Sequence, residues 1–275
     1  MSGAIHPAIA PGNLAVITGA ADGIGLAAAR RLAGMGMRVA LVDVAADKLE
    51  AAKAEIGEAA SIHVVDVSDR AAVAQLAASL GPVSVLMGNA GIGGGGDIFA
   101  DPAGWDRILS VNLMGMVHVA QCFVPAMAES GAPGLVINTG SKQGITQPPG
   151  NTAYNISKSG VKSLTEGLAH SLREKQGCRV TAHLLIPGFT YTGMMKRFIA
   201  EQPPAAWTPD QVVDTMLDGI ARGEFYLWCL DNETTWEVDA RRVLWNAQDI
   251  TEGRPALSRW HAAYKEACAR FVAGE

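Results

Sequence analysis

The sequence predicts an α/β fold: a doubly wound, seven-stranded, mostly parallel sheet with helices on both faces. Three observations predict it. Short apolar, β-branched runs alternate with longer segments of helical period through the first two thirds of the chain. Those runs lack polar alternation, as strands buried on both faces do. A glycine-rich turn, Gly19 to Gly25, joins the first run to the first helical segment. Repeated strand–helix–strand units close with right-handed crossovers, and that places helices on both sides of the sheet.

In order, Leu14 to Thr18 reads as a strand and Ile24 to Ala33 as a helix; Arg38 to Val42 as a strand and Asp47 to Ile56 as a helix. Ser61 to Val65 is a strand followed by a helix from Arg70 to Leu80. Val83 to Met87 leads to one long helix, Trp105 to Met127, apolar nearly all round. Leu135 to Asn138 and Arg179 to Ile186 are strands flanking a helix from Thr152 to Glu174. After Pro187 the pattern loosens. Residues 189–206 carry Met194, Met195 and Phe198 and end at Pro203-Pro204, a loosely patterned stretch. Pro209 to Ala221 is a helix that Pro can begin. Glu224 to Leu230 is the last strand, and 231–275 is a tail with two helices. The expectation is one domain, with a core over about 12–230 and a C-terminal elaboration.

Composition excludes several classes. A chain of 275 residues, 49% hydrophobic and 18% charged, is long enough for a large buried core. A net charge of −5 without a Lys/Arg run leaves no footprint for nucleic acid. Cys122, Cys178, Cys229 and Cys268 are widely spaced, as buried thiols in a reducing compartment are. The first residues lack a signal-peptide pattern, and no uninterrupted apolar run approaches the ~18 residues of a membrane span. The expected location is the cytoplasm. The histidines His63, His118, His170 and His183 show no ligand spacing, so no metal site is expected.

Two constellations carry chemistry. Gly19, Asp22, Gly23, Ile24 and Gly25 lie where a strand turns into a helix. Glycines there let backbone approach a pyrophosphate, and the helix start presents free N–H groups to its charge. Asp43 ends the second strand, 18 residues after Gly25, where a carboxylate accepts from adenosine ribose hydroxyls and repels a 2′-phosphate. Asp22 adds negative charge, so the cofactor expected is NAD rather than NADP. Tyr154 and Lys158 stand four residues apart, one helical turn on one face. An ammonium beside a phenol favours the phenolate, so this spacing predicts a Tyr154 pKa below its ordinary ~10.

On these residues the chain resembles the short-chain dehydrogenase/reductase family over about 12–230, with its Rossmann-type sheet. Thr18-Gly19 through Gly25 matches the family's TGxxxGxG loop, and Tyr154 with Lys158 its YxxxK pair. Asp66-Val67 matches the pair that contacts adenine, and Asn89-Ala90-Gly91 the segment after the fourth strand. Asn112 and Ser141 match the remaining catalytic positions, Ser141 standing 13 residues before Tyr154. Pro187-Gly188 with Thr190 and Thr192 matches the segment after the sixth strand. Gly88 departs from the family's usual Asn and is expected to loosen a sheet-bracing contact.

The resemblance implies reversible hydride transfer between NAD and a secondary alcohol or ketone. Tyr154 would be the general acid/base, and Lys158 would lower its pKa and hold the nicotinamide ribose. Ser141 would orient the substrate oxygen, and Asn112 would organise a water relay toward Lys158. Gln143, Ile145 and Pro148 fall between Ser141 and Tyr154, so they are expected to line the pocket. Met194, Met195 and Phe198 lie in the segment that in this family closes over substrate. Their apolar character points to a bulky, hydrophobic or aromatic alcohol. Lys142 reads as a solvated loop charge. The apolar 105–127 helix and the helix carrying Tyr154 are the expected contacts of a homodimer or homotetramer. Two alternatives stay open: a non-catalytic NAD-binding or sensing protein, and an NADPH-linked ketone reductase.

Overall fold

The computed structural model describes residues 5–196 and 199–275. Its strands are β1 Leu14–Thr18, β2 Arg38–Asp43, β3 Ala60–Val64, β4 Val83–Gly88, β5 Gly134–Thr139, β6 Val180–Ile186 and β7 Tyr226–Trp228. They form one sheet in the order β3-β2-β1-β4-β5-β6-β7, every neighbouring pair parallel. The order reverses between β1 and β4. The carboxyl ends of those two strands therefore open a crevice, the place where such sheets bind ligands.

The helices are α1 Gly23–Gly34, α2 Ala46–Ile56, α3 Arg70–Ser79, α4 Pro102–Leu109, α5 Gly115–Glu129, α6 Gln143–Thr146, α7 Thr152–Glu174, α8 Gly193–Lys196, α9 Pro209–Ala221, α10 Trp236–Thr251 and α11 Lys265–Ala273. Successive strand residues point to opposite faces. Ile17, Leu41, Met87 and Ile137 pack with Leu32 of α1 and Val212 and Met216 of α9. Val16, Val42, Leu86 and Val136 pack with Phe123 of α5 and Leu172 of α7 on the other face. Helix starts follow from local chemistry. Asp69 accepts from the Ala71 and Ala72 amides at α3, and Thr208 forms a capping box with Gln211 ahead of Pro209 at α9.

The predicted long helix runs unbroken through residues 102–129, with one irregular turn inside it. It begins earlier, at Pro102, where Asp101 caps the Ala103 amide, and it widens into a π-helical turn over Ser110–Met114 before α5. One extra residue in a turn leaves an apolar run apolar, so periodicity alone does not reveal it; such bulges favour functional sites. By length and composition the run 102–129 could cross a membrane. In the fold Met116, Val119, Phe123 and Met127 are buried against the chain's own core. β7 is shorter than predicted because only Leu184–Ile186 pair with it. At Gly88 a Cβ would lie 2.6 Å from Met116 Sδ and 2.8 Å from Asn138 Oδ1. Met116 and Asn138 fill the space beside Gly88.

The tail folds as α10, two short 3₁₀ turns at Ser258–Trp260 and Ala262–Tyr264, and α11. Arg254 stacks over Trp245 at 3.8 Å, Trp245 Nε1 donates to Ser258 Oγ at 2.8 Å, and Ser258 N donates to Asp249 at 3.0 Å.

Candidate active site

The phosphate loop is clamped from below. Thr18 Oγ1 accepts from the amides of Asn89 (2.9 Å) and Ala90 (3.1 Å). Asn89 Nδ2 donates to the carbonyls of Thr18 (3.2 Å) and Gly19 (3.3 Å), and Thr139 Oγ1 donates to Asn89 Oδ1 (3.1 Å). One side chain thus ties together the ends of β1, β4 and β5. At Gly25 a Cβ would stand 2.2 Å from the Gly19 carbonyl oxygen and 2.7 Å from Asn89 Nδ2. The loop is a cradle without room for a side chain there, at the N-terminus of α1, and that fits a dinucleotide pyrophosphate. Ile24 faces inward to the core.

Two acids flank the cradle. Asp43 accepts from the Ala21 amide (3.3 Å) and the Ala45 amide (3.1 Å), which fixes its carboxylate between the loop and the start of α2. Asp22 caps α1 through the Gly23 amide (2.7 Å) and pairs with Lys48 Nζ at 2.7 Å. Burial pushes its carboxyl upward, but Lys48 and the Gly23 N–H outweigh that and hold it below the usual range. Its charge is therefore paired, not free to repel a ligand as the sequence suggested. Thr192 packs over Gly23, and Gly193 lies against the Asp22 carboxylate. Thr190 bridges to Trp207 and donates to the Gly188 carbonyl, so both ends of the 190–207 segment meet beside the cradle. Asp66 is spent on its own turn, accepting from Ser68 N and Oγ, and Val67 is buried against α5 at Gly115.

Tyr154 and Lys158 project from α7 as predicted. Lys158 is 4% exposed; its Nζ donates to the Thr139 carbonyl at 2.8 Å and lies 5.8 Å from the Tyr154 ring centroid. Gly91 approaches the same point, since a Cβ there would sit 3.6 Å from Lys158 Nζ. The Ser141 hydroxyl accepts from the Gln143 amide at 3.1 Å and lies beside the Tyr154 phenol, whose ionised form it favours. The expected direction of the Tyr154 shift is reversed. Burial raises its pKa, with Ser141 opposing, and the protein's own groups leave the phenol protonated at neutral pH. Burial also lowers Lys158, to about 8.

The Lys158 shift has a testable sign. In the unfolded chain the amine keeps its proton up to about 10.4. Below pH 8 the folded protein carries a buried ammonium at a cost of about 3 kcal/mol, relieved as pH rises from 8 toward 10. Lys158→Met should therefore gain stability relative to wild type at pH 7 and lose that advantage by pH 10. Urea midpoints of the two proteins across this window are the check; a difference independent of pH would refute it.

Asn112 sits in the π-helical turn, fully buried. Its Oδ1 accepts from Ile92 N (2.8 Å), and its Nδ2 donates to Ile92 O (2.9 Å) and Ser157 Oγ (3.3 Å). The amide holds the loop after Gly91 against α7. Ser157 and Thr139 are site residues missed by the sequence reading. Ser157 carried a usable signal, as it lies one turn from Tyr154 and donates to the Tyr154 carbonyl at 2.7 Å.

The substrate-side residues divide. Met194 packs onto Gly93, joining α8 to the glycine loop. Gly95 approaches Ala153 and Ile108 too closely for a Cβ, and the Ala153 amide donates to the Gly96 carbonyl at 3.2 Å, so this loop covers the start of α7. Gln143 opens α6, and its Oε1 is buried with no hydrogen-bond partner among the described residues. Pro148 supplies a carbonyl to Asn155 Nδ2 at 2.7 Å. Ile145 is partly buried and packs with Met116, Val161, Leu184 and Ile186, where α6 lies on α7. Met195 is half-buried in α8, while Phe198 lies outside the described residues. Lys142 is also misread by sequence. It is a buried cation paired with Asp231 and Asp239.

This fold and site define a class of dinucleotide-linked oxidoreductases built on a doubly wound sheet. The family model described as short chain dehydrogenase matches residues 13–203, and the chain belongs to that family. It is 30% identical to 1-deoxy-11-beta-hydroxypentalenate dehydrogenase of Streptomyces avermitilis, with 88% of this chain and 98% of that protein aligned. It is 37% identical to galactitol 2-dehydrogenase (L-tagatose-forming) of Cereibacter sphaeroides, over 66% and 73% of the two chains. A short chain dehydrogenase/reductase from Burkholderia phymatum, solved in complex with NAD, superposes with a TM-score of 0.79 at 30% identity, covering 89% of this chain and 96% of that one. Another solved member, from a metagenome, is a complex with NADP and matches at a TM-score of 0.64 and 32% identity, over 78% and 92% of the two chains. The chain is an oxidoreductase of alcohol and ketone substrates.

Proposed function

We propose that this chain is an NAD-dependent dehydrogenase that reversibly oxidises a bulky, mainly apolar secondary alcohol to its ketone. One observation carries the reading: the Tyr154 ring lies 5.8 Å from the buried Lys158 Nζ, with Ser141 beside its phenol and the phosphate cradle next to it. Bound nicotinamide supplies the hydride acceptor. In oxidation the hydroxyl proton passes to the Tyr154 oxygen as the carbinol hydrogen leaves with its electron pair; in reduction Tyr154 returns the proton to the ketone oxygen. Ser141 orients the substrate oxygen, and Lys158 keeps positive charge beside the phenol.

The choice of NAD rests on Asp43 and its neighbours. Its carboxylate is held by two amides, and Val44, Ala45 and Ala46 after it offer no cation for a 2′-phosphate. The nearby Lys48 is paired with Asp22. Met194 over Gly93 supports an apolar substrate, as does the aligned 1-deoxy-11-beta-hydroxypentalenate dehydrogenase, which covers 88% of this chain. Gln143 favours a second reading. Its unpartnered oxygen could accept from a further hydroxyl, and a galactitol dehydrogenase is among the relatives, which together fit a polyol.

A panel of alcohols followed by NADH absorbance tests the reading. Aryl and alicyclic secondary alcohols with NAD should exceed sugar alcohols in kcat/KM by about tenfold or more. Preference for sugar alcohols would select the polyol reading, preference for NADP would remove the Asp43 assignment, and no turnover with any alcohol would leave a non-catalytic NAD-binding protein.

A further inference from the structure

We propose that Lys142 is a positioning residue for Ser141, held in place by the first part of the C-terminal tail, residues 231–246. The inference rests on the dehydrogenase reading above and deepens it.

Lys142 follows Ser141 directly, and its backbone N–H donates to the Pro187 carbonyl at 3.2 Å. Its side chain then runs beneath Gly188, where a Cβ would lie 2.9 Å from Nζ. The ammonium ends between Asp239 at 2.5 Å and Asp231 at 3.3 Å, with the Trp228 ring centroid 5.8 Å away. The Asp239 side chain is 4% exposed and those of Lys142 and Asp231 are 15% exposed. Asp239 also accepts from Trp228 Nε1 (3.0 Å) and Arg242 Nη1 (3.2 Å). Two further ties come from the same stretch of tail. Asn246 Nδ2 donates to the Ile145 carbonyl at 3.3 Å, and Asn232 donates to the carbonyls of Ala205 (3.0 Å) and Pro204 (2.7 Å).

Charges this buried do not exchange freely with water, because any one left alone loses its compensation. Lys142 therefore stays under Gly188 and fixes the backbone on which Ser141 stands. Both of its carboxylates belong to the tail, so the tail acts on chemistry without supplying a group that touches substrate. The cation is fully engaged and so is not a receptor for an anionic substrate. Ser141 must reach the Tyr154 phenol and the substrate oxygen together, and misplacement of about 1 Å in such a contact costs up to about a hundredfold in rate.

The test compares Lys142→Met, Lys142→Arg and Asp231→Asn, each alone and in a Ser141→Ala background, at temperatures well below each Tm. Lys142→Met should lower kcat by about ten- to a hundredfold with NAD affinity unchanged, Lys142→Arg should recover most of it, and Asp231→Asn should fall between. In the Ser141→Ala background, Lys142→Met should cost little more, since its effect runs through Ser141. The titration of Tyr154, read by ultraviolet difference against Tyr154→Phe, should move upward in Lys142→Met as the Ser141 contact is lost. That readout needs no turnover, so an inactive wild type would fail the dehydrogenase reading and leave this one decidable. If Lys142→Met does not fold, Asp231→Asn decides on the same measurements. Variants that lose Tm but keep kcat and the Tyr154 titration would overturn the proposal, as would an undiminished loss in the Ser141→Ala background.

Discussion

Replacing Tyr154 with Phe is expected to lower turnover by about 10²–10⁴-fold while NAD binds as before. The substitution keeps the ring and removes the phenol oxygen beside Ser141. That oxygen is the acid/base of the proposed reaction, so the whole general acid–base contribution is lost. The sign of its pKa adds a second expectation. Burial raises the phenol above its ordinary value, so at neutral pH it is a proton donor, suited to ketone reduction. Alcohol oxidation by the wild type should accelerate as pH rises above neutral, because the ionised fraction of Tyr154 that can accept the proton grows until its raised pKa is reached, while reduction should hold over the same range and slow only above the ordinary phenol pKa of about 10. The residual activity of Tyr154→Phe should lack both limbs. Steady-state rates in both directions, with calorimetric NAD binding, decide the matter. A variant keeping most of its activity, or the same pH dependence, would remove Tyr154 from the mechanism.

Gly25→Ala is expected to weaken NAD binding by more than tenfold and to destabilise the protein. In an ordinary helix the exchange gains about 1 kcal/mol. Here the new methyl would stand 2.2 Å from a backbone oxygen that Asn89 holds in place, and overpacking of this kind costs roughly 1–3 kcal/mol. The neighbour is backbone rather than the end of a flexible side chain, so the cost exceeds the gain and the loop must shift away from the phosphate. Gly34→Ala, at the far end of the same helix with no atom within 4 Å of its new methyl, is the control and should be neutral or stabilising. Binding isotherms and melting curves of both variants test the argument. Unchanged NAD affinity in Gly25→Ala would mean that the cradle does not hold the cofactor.

The site was legible where function depends on residue type at fixed local spacing. The Gly19 to Gly25 turn, Asp43, and the Tyr154 and Lys158 pair needed nothing beyond the sequence, because each is a short-range pattern on a strand end or a helix. The parallel sheet was legible too, from apolar runs too short for helices. The π-helical turn was not, since one inserted residue leaves the apolar character of 102–129 intact. The packing of Ile145 was not legible either, because its direction depends on how α6 lies against α7. Lys142 was misassigned because its partners, Asp231 and Asp239, follow it by about ninety residues. The Tyr154 shift was misjudged for a related reason: the Lys158 charge is visible at i+4, but the desolvation that outweighs it is a property of the packed site.

The sequence by itself therefore determined the fold class, the glycine turn and the residues of the proposed reacting pair. These rest on local steric and electrostatic rules that hold wherever the segment is placed. The tertiary structure alone decided the ionic form of Tyr154, the use of Asn112 to hold the Gly91 loop, and the anchoring of Ser141's neighbour by the tail. Each of these is set by desolvation and by hydrogen bonds between residues remote in the chain, and neither exists until the sheet and its helices have closed around them.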